Sequence, residues 1–478
     1  MFTHLTPGRE NDVQVLTCPK PIVTLAAVAA MAAAAIIPEA LGQPPFGAGP
    51  QRSRTQLELP TAPTAVALPS LSAKVTGPGP MFDSAPSQAP GLGPQHFGYA
   101  TNEYFVSGTA DGRPYTTRVV VRQPGDDAKF SGLVLAESMH SSGSAHAFEF
   151  TAVYLMDSGH AAVEILTTSP AQFVALNAAR YTDLKVADGQ ENDILAQVGA
   201  LIKSDRGPLA GLSVRKMVMS GTSMSAGTLI NYLPAHSVYR TPDMKSIYDG
   251  FLPTSAGQTI QEIDVPLIQL PTMHEVETNV PRRQDSDQPG KQYRLYEFAA
   301  IGHVDSRDNV RLLPNPCTRP LSTFPVQAYM SVGLYHLFRW VDQGIAPPRA
   351  DRILLDRNTD NDGSMMAVDE HGNGLGGIRN PYVDVPAAKY VAVNTAAEPL
   401  IENPSAYVKT NGMMGAQIMC RLSAYQEPFS KDRLRELYGS KRDYVRKFEA
   451  RLDELEQQGW SLPVYHEMIL GDAAAIQF

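Results

Sequence analysis

Three serines lie between an apolar run and a helix-like run in the segment KMVMSGTSMSAGTLINYL, residues 216–233. A serine hydroxyl acts as a nucleophile where a base can take its proton and N–H donors can stabilise the oxyanion. A sharp turn from a strand into a helix presents a serine in this way, and it needs small residues two positions before and after it. Gly221 and Ser225 hold those positions around Ser223, although glycine is more usual at the second. The pattern predicts Ser223 as the nucleophile, and a polar turn without chemistry is the alternative.

A general base must reach that serine, and in folds built on this turn the acid and then the histidine follow the serine along the chain. His303 lies in EFAAIGHVDS, where a loop leaves a predicted strand through Gly302. We therefore predict His303 as the base. Other histidines after the serine are less suitable because they lie too close behind it, within an amphipathic helix or far out in the tail (His236, His336 and His466).

The acid is expected at the end of the strand that precedes the histidine strand. Glu275 lies there, in PTMHEVET after the apolar run VPLIQL, residues 265–270. Its predicted work is to hold the imidazole tautomer and to stabilise the imidazolium. Glu277 and Asp249 remain alternatives, and His274 is predicted either to be a bystander or to line the pocket.

Strand-like and helix-like runs alternate from residue 96 onward, which predicts a mostly parallel sheet with helices on both faces. Short β-branched or apolar runs predict the strands, and apolar residues at helical spacing predict the helices. The predicted strands are 115–123, 132–137, 160–166, 215–219, 246–252, 265–270 and 293–299. The predicted helices are 146–159, 191–205, 226–233, 326–344 and 441–459.

The N-terminal region predicts export. Lys20 precedes an apolar stretch, residues 22–37, and small residues follow it before position 43. This order is typical of a cleaved export signal over 1–42, and the stretch is shorter than the ~20 residues that span a bilayer. An uncleaved anchor is the alternative. Residues 43–95 are rich in Pro, Gly, Ala and Ser, which predicts a tether or loosely held arm before a single domain over 96–478.

Composition excludes several classes of protein. The net charge of −9 leaves no basic surface for a nucleic-acid partner. The three cysteines form no C-x-x-C motif, which argues against a structural zinc site or a redox dithiol. In an exported protein Cys317 and Cys420 could form a disulfide, and two buried thiols are the alternative.

No metal ion or cofactor is predicted. The segment NTDNDGSMMAVD, residues 358–369, loosely follows the spacing of a calcium loop, but it lacks Asp at the first position and the bidentate Glu at the last. A hairpin turn rich in Asn, Asp and Gly explains the segment equally well.

Ten segments in the same order resemble the bacterial "alpha/beta hydrolase domain" family over about residues 100–478. They include GLVLAESMHSSG (132–143), SGTSMSAG (220–227), VPLIQLPTMHEVE (265–277), YRLYEFAAIGHVD (293–305) and HGNGLGGIRNPYVDVP (371–386). The resemblance implies the α/β-hydrolase fold and the roles of Ser223, Glu275 and His303 given above. The family pattern tends to have Asn, Gln and Gly where this chain has His140, Met224 and Ala226. These departures bear on substrate preference more than on reaction type.

The predicted function is hydrolysis of a carboxylic ester through an acyl-enzyme, on a small-molecule or polymer-derived substrate met outside the cytoplasm. The N–H of Met224 should supply one oxyanion donor, and the N–H of Met139 or His140 the second. Residues 305–325 and 345–415 could roof the pocket. The alternatives are a non-catalytic binding protein on the same fold, a carbon–carbon hydrolase and an acyltransferase. The sequence predicts no membrane partner beyond the export signal and no particular oligomeric state.

Overall fold

The computed structural model describes residues 59–478 except 278–281, 305–306, 308, 310–312 and 357–364. The predicted export signal and the first part of the predicted arm lie outside the described residues. In the part of the chain that is described, no helix has both the length and the apolar character needed to cross a bilayer.

A mixed sheet of nine described strands forms the centre of the protein, in the order β11-β10-β9-β7-β5-β6-β4-β3-β2. Six neighbouring strands of this sheet pair in parallel: β11, β10, β9, β7, β5 and β6. The strands β4, β3 and β2 add antiparallel pairs at the edge next to β6. The strands are β1 (Thr64–Ala65), β2 (Ser70–Leu71), β3 (Tyr99–Ala110), β4 (Arg113–Pro124), β5 (Leu133–Ser138), β6 (Ala161–Ile165), β7 (Lys216–Thr222), β8 (Tyr239–Arg240), β9 (Gly250–Thr254), β10 (Leu267–Gln269), β11 (Tyr293–Leu295), β12 (Ala388–Val391) and β13 (Tyr425–Pro428).

Helices cover both faces of this sheet, as the alternating pattern predicts. One buried cluster joins the sheet to α1, α2, α8, α12 and α13, and another joins it to α5 and α6. The helices are α1 (His146–Glu149), α2 (Ala152–Asp157), α3 (Ala171–Leu176), α4 (Ala178–Tyr181), α5 (Glu191–Ile202), α6 (Met224–Val238), α7 (Met273–Glu277), α8 (Val326–Gln343), α9 (Pro381–Asp384), α10 (Ala406–Leu422), α11 (Lys431–Tyr438), α12 (Lys441–Gln458) and α13 (His466–Ala475).

The described part of the predicted arm, residues 59–95, packs onto the domain, so the predicted boundary at residue 96 needs correction. Strand β2 pairs with β3, and the side chains of Phe82 and Ser84 are buried. Two buried arginines bind the arm's main chain: Arg118 donates to the carbonyl of Phe82, and Arg180 donates to two further carbonyls of the segment. Amino-acid composition could not reveal this packing, because the acceptors of these hydrogen bonds are main-chain carbonyls. Such carbonyls are present whatever the side chains of the segment are.

Candidate active site

Ser223 lies on a tight turn between the end of β7 and the start of α6. Its φ of 56° and ψ of −118° are unusual for a residue with a side chain, and such strain persists where the surrounding structure enforces it. Gly221 is required here because a Cβ on it would lie 2.5 Å from the carbonyl oxygen of Ser225. The turn that the sequence predicts around Ser223 is therefore present.

The neighbouring serines have structural contacts. Ser220 is buried at the end of β7 and donates its hydroxyl to the carbonyl of Leu252 at 2.7 Å. The hydroxyl of Ser225 binds the main chain of Thr222. Of the three serines, Ser223 is thus the one that the turn presents for chemistry.

The structure brings the three predicted residues of the triad together in one chain of hydrogen bonds. Ser223 Oγ lies 2.9 Å from Nε2 of His303, and Nδ1 of the same ring lies 2.5 Å from Oε1 of Glu275. The second oxygen of Glu275 accepts hydrogen bonds from the N–H and the hydroxyl of Thr272, at 2.8 and 2.7 Å. Both oxygens of this carboxylate are therefore held, and its position fixes the orientation of the imidazole.

The charge on Glu275 is stabilised in a buried place. Burial alone would raise the pKa of this carboxyl, but the adjacent His303 and the hydrogen bond from Thr272 outweigh burial and lower its pKa to about 2. A carboxylate that stays ionised can hold a proton on Nδ1 of His303 and leave Nε2 free to accept the proton of Ser223.

A protein-family model described as "Alpha/beta hydrolase domain" matches residues 68–471, which is most of the chain. The chain belongs to this family. No curated protein matches it.

Several solved structures are similar to part of this hydrolase, at low identity. One is a cold-adapted esterase from an Arctic intertidal metagenomic library, with 16% identity over 41% of this chain and 83% of that chain and a TM-score of 0.23. Another is an α/β serine hydrolase without lid from Xanthomonas campestris, with 16% identity over 41% and 71% and a TM-score of 0.23. A third is a putative dienelactone hydrolase from Klebsiella pneumoniae, with 10% identity over 41% and 85% and a TM-score of 0.25. Values this low add nothing to the assignment, which rests on the family match.

The competing acids and bases in this hydrolase are bound elsewhere. Glu277 accepts the N–H of Met365 at 2.6 Å, and Asp249 pairs with Lys203 at 2.7 Å. The buried ring of His336 lies 2.9 Å from the carbonyl of Gly459. His236 lies 3.3 Å from Asp264 and His466 lies 2.9 Å from Glu456, so each has an acidic partner away from the triad.

One predicted oxyanion donor is available, and the other prediction is wrong. Met224 is the first residue of α6, so its N–H has no carbonyl in a preceding turn to bind. The N–H of Met139, however, donates to the carbonyl of Ile165 at 2.8 Å, and the N–H of His140 donates to that of Ser144 at 2.9 Å. Neither N–H group is therefore free to bind an oxyanion. The N–H of Met139 continues the pairing of β5 with β6, and that of His140 closes a turn in the loop that follows.

Ser141 is the next residue in this loop, and it is not among the site residues predicted from the sequence. Its side chain is exposed, and its hydroxyl lies 3.2 Å from the sulfur of Met224. Among the described residues, the N–H of Ser141 donates to no protein atom. This loop N–H is therefore open to a ligand beside Met224, the residue that follows Ser223.

A buried carboxyl supports the same loop. Both oxygens of Glu137, in β5, accept main-chain hydrogen bonds at the start of α1, from Ala147 at 3.0 Å and from Phe148 at 2.9 Å. The N–H of Ala145 donates to the carbonyl of Ser84 in the N-terminal arm. A glutamate within the apolar run GLVLAE is the sequence signal that could have revealed this support.

A small cleft borders this loop. His146 and Phe150 line one part of it, and Arg307 and Gln327 line another. The ring of His146 lies 4.9 Å, centroid to centroid, from that of His140, which places the cleft next to the loop that follows β5. Arg307 belongs to one of the segments predicted to roof the pocket.

Cys317 and Cys420 form the predicted disulfide, with their Cα atoms 5.5 Å apart. Most of the segment 358–369, which loosely follows the spacing of a calcium loop, lies outside the described residues. Its last member, Asp369, is described, and it pairs with Arg379 at 2.8 Å. Elsewhere, Asp453, Glu456 and His466 are close enough together to hold a metal ion, but the pairing of His466 with Glu456 explains this group without one.

Proposed function

We propose that this α/β-hydrolase cleaves a carboxylic ester through an acyl-enzyme on Ser223. The observation that carries the proposal is the continuous hydrogen-bonded chain from Ser223 through His303 to Glu275. A serine on a strained turn with a base at 2.9 Å and an ionised acid behind that base has the parts that acyl transfer needs.

The proposed reaction has two halves. As Ser223 Oγ attacks the ester carbonyl, His303 Nε2 takes its proton, and Glu275 stabilises the imidazolium that forms. The proton then passes to the departing alcohol, which leaves an acyl group on Ser223. Water, deprotonated by His303, attacks this acyl-enzyme and releases the acid, and the proton returns to Ser223.

The tetrahedral intermediates of both halves carry an oxyanion. We assign its two donors to the N–H groups of Met224 and Ser141, because the N–H groups of Met139 and His140 are bound to carbonyls. The contact between Ser141 Oγ and the sulfur of Met224 supports this pairing, since it brings the two residues together beside Ser223.

We also propose that the protein is exported and acts in the periplasm or outside the cell. The export-like leader in the sequence motivates this proposal. The disulfide between Cys317 and Cys420 supports it, because such bonds persist mainly in oxidising compartments.

The decisive experiment measures turnover of p-nitrophenyl esters with acyl chains of increasing length, by the full chain and by Ser223→Ala. We expect turnover by the full chain, a burst of p-nitrophenol before steady state, and loss of both in the variant. Thr228→Ala, one turn further along α6, is the matched control and should keep its activity.

Two further outcomes would redirect the proposal. Binding of esters without turnover would favour a non-catalytic binding protein. Transfer of the acyl group to an alcohol in preference to water, or cleavage of a carbon–carbon bond with no ester turnover, would favour an acyltransferase or a carbon–carbon hydrolase. Mass spectrometry of the products distinguishes these cases.

A further inference from the structure

The end of α10 and the residues after it, 420–424, contact the residues on either side of His303 and the residue before Glu275. We propose that the disulfide between Cys317 and Cys420 is a positioning element for the catalytic base, because it holds residues 420–424 against the loop that carries His303 and the helix that carries Glu275. The inference rests on the proposed function, and it concerns what holds the same site in position.

The loop of His303 is bound to this segment on both sides of the histidine. Immediately after His303, the N–H of Val304 donates to the carbonyl of Leu422 at 3.1 Å. Immediately before it, Gly302 packs so closely that a Cβ added to it would lie 2.5 Å from the Cβ of Ala424. The main chain around His303 therefore follows the position of residues 422–424.

The helix of Glu275 reaches the same segment through His274. This ring is buried and hydrogen-bonds to the main chain of Arg421. It also packs edge-on against His303, with the ring centroids 5.6 Å apart. Burial lowers the pKa of His274, so the ring is neutral at neutral pH and adds no positive charge beside the imidazolium that forms during catalysis. His274, predicted as a bystander or as pocket lining, thus links Arg421 to the pair formed by Glu275 and His303.

The disulfide lies directly behind these contacts. Cys420 is fully buried in the last turn of α10, and Cys317 packs with it in a small apolar cluster that includes Val304. The helix is interrupted at Gly412, where φ is 60° and ψ is −146°, so its last turns are not a rigid continuation of its first. The covalent link to Cys317, 103 residues away in sequence, fixes these last turns to the body of the domain.

Catalysis is sensitive to this placement. A base must be held within roughly 0.5 Å of its productive position, and a displacement of about 1 Å can cost about 100-fold in rate. Loosening residues 420–424 would move His303 relative to Ser223 without touching the surface that binds substrate. The expected signature is a fall in kcat with little change in KM.

The test compares the full chain with Cys317→Ser/Cys420→Ser, at a temperature well below the Tm of each. We expect kcat for a p-nitrophenyl ester, and the rate at which a fluorophosphonate labels Ser223, to fall by at least about tenfold. Leu452→Ala is the matched control, because it removes from α12 a buried side chain that belongs to a different apolar cluster from the disulfide, and it should lower Tm. It should keep both rates.

A second variant leaves the disulfide intact, and it tests the contact between residues 420–424 and the His303 loop if the double variant does not fold. Gly302→Ala should force the His303 loop away from Ala424 and lower kcat in the same way, and Gly302→Ala/Ala424→Gly should recover part of the loss. Equal rates in the full chain and in the disulfide and Gly302 variants would overturn this inference while leaving the proposed function in place. Absence of both turnover and labelling in the full chain would overturn both.

Discussion

The hydroxyl of Ser225 binds both main-chain polar groups of Thr222: it accepts the N–H at 2.9 Å and donates to the carbonyl at 2.9 Å. This pair of bonds closes the turn on which Ser223 sits. It also explains why serine is tolerated where glycine is more usual, since the side chain is small and its polar atom is satisfied within the turn.

Because β7 and α6 approach each other closely at this turn, a single methyl group added at Gly221 should disturb it. In Gly221→Ala the added Cβ would lie 2.5 Å from the carbonyl oxygen of Ser225, so the turn must open. We expect a loss of about 1–3 kcal/mol in the free energy of unfolding, together with a lower kcat, because Ser223 moves with the turn. Chemical denaturation and ester kinetics measure the two effects. In the control, Gly227→Ala, no described atom apart from its chain neighbours and the backbone of its own helix lies within 4 Å of the new Cβ, and stability should hold or rise slightly.

The ionised state of Glu275 predicts the effect of neutralising it. Glu275→Gln keeps the size of the side chain, but it removes the charge and allows the wrong tautomer of His303. We expect kcat to fall by about 10⁴-fold with KM little changed. Glu277→Gln is the control two residues further on, and its activity should resemble that of the unsubstituted chain. A similar loss in both variants would contradict the assignment of Glu275.

The pKa of Glu275 also bears on the acid side of the pH profile. Because its pKa lies at about 2, this carboxyl stays ionised in the folded protein throughout the range in which the enzyme would be assayed. Loss of kcat/KM between neutral pH and about pH 4 would therefore reflect protonation of a group other than Glu275. The depressed pKa adds stability above the ordinary value of 4.5, and this contribution is lost as the pH falls toward about 2.

The open N–H of Ser141 predicts a difference between two substitutions at one position. Ser141→Pro removes the N–H, and we expect kcat to fall by about 10²–10³-fold, as for loss of one oxyanion donor. Ser141→Ala keeps the N–H and loses the hydroxyl contact with Met224, so its kcat should stay close to that of the unsubstituted protein. Circular dichroism establishes that both variants fold. Equal activity in the two would exclude Ser141 as the donor.

Glu137 predicts a pH dependence of stability. Burial and the nearby Glu164 raise the pKa of this carboxyl from 4.5 to about 8, although two N–H donors favour its ionised form. The folded protein therefore holds this proton more tightly than the unfolded chain. The contribution to stability is complete below the ordinary pKa of 4.5 and is lost as the pH rises through about 8.

Glu137→Gln removes this titration while keeping a side chain of similar size. We therefore expect the Tm of the variant to rise relative to that of the unsubstituted protein as the pH increases from about 5 to about 8. Thermal unfolding in a series of buffers measures this difference. A constant difference across the range would contradict the raised pKa.

The meeting of Ser223, His303 and Glu275 could be predicted from the sequence because the constraints on each residue are local. Ser223 needs a strand before it and small neighbours, and Glu275 and His303 each follow a predicted strand of the same parallel sheet. The open N–H of Ser141 could not be predicted, since it depends on which N–H groups of the loop bind carbonyls distant in sequence, as the N–H of Met139 binds that of Ile165. The packing of residues 59–95 onto the domain could not be predicted for a related reason. Amino-acid composition does not show that Arg118 and Arg180 bind the main chain of this segment.

The packed arm sets an upstream limit for any shortened version of the enzyme. A recombinant product begun at residue 96 would leave the guanidinium groups of Arg118 and Arg180 without main-chain acceptors in the interior, and would leave the N–H of Ala145 without the carbonyl of Ser84. We would therefore expect removal of the chain through Ser84 to disturb the loop that follows β5, even though Ser223, His303 and Glu275 would all remain.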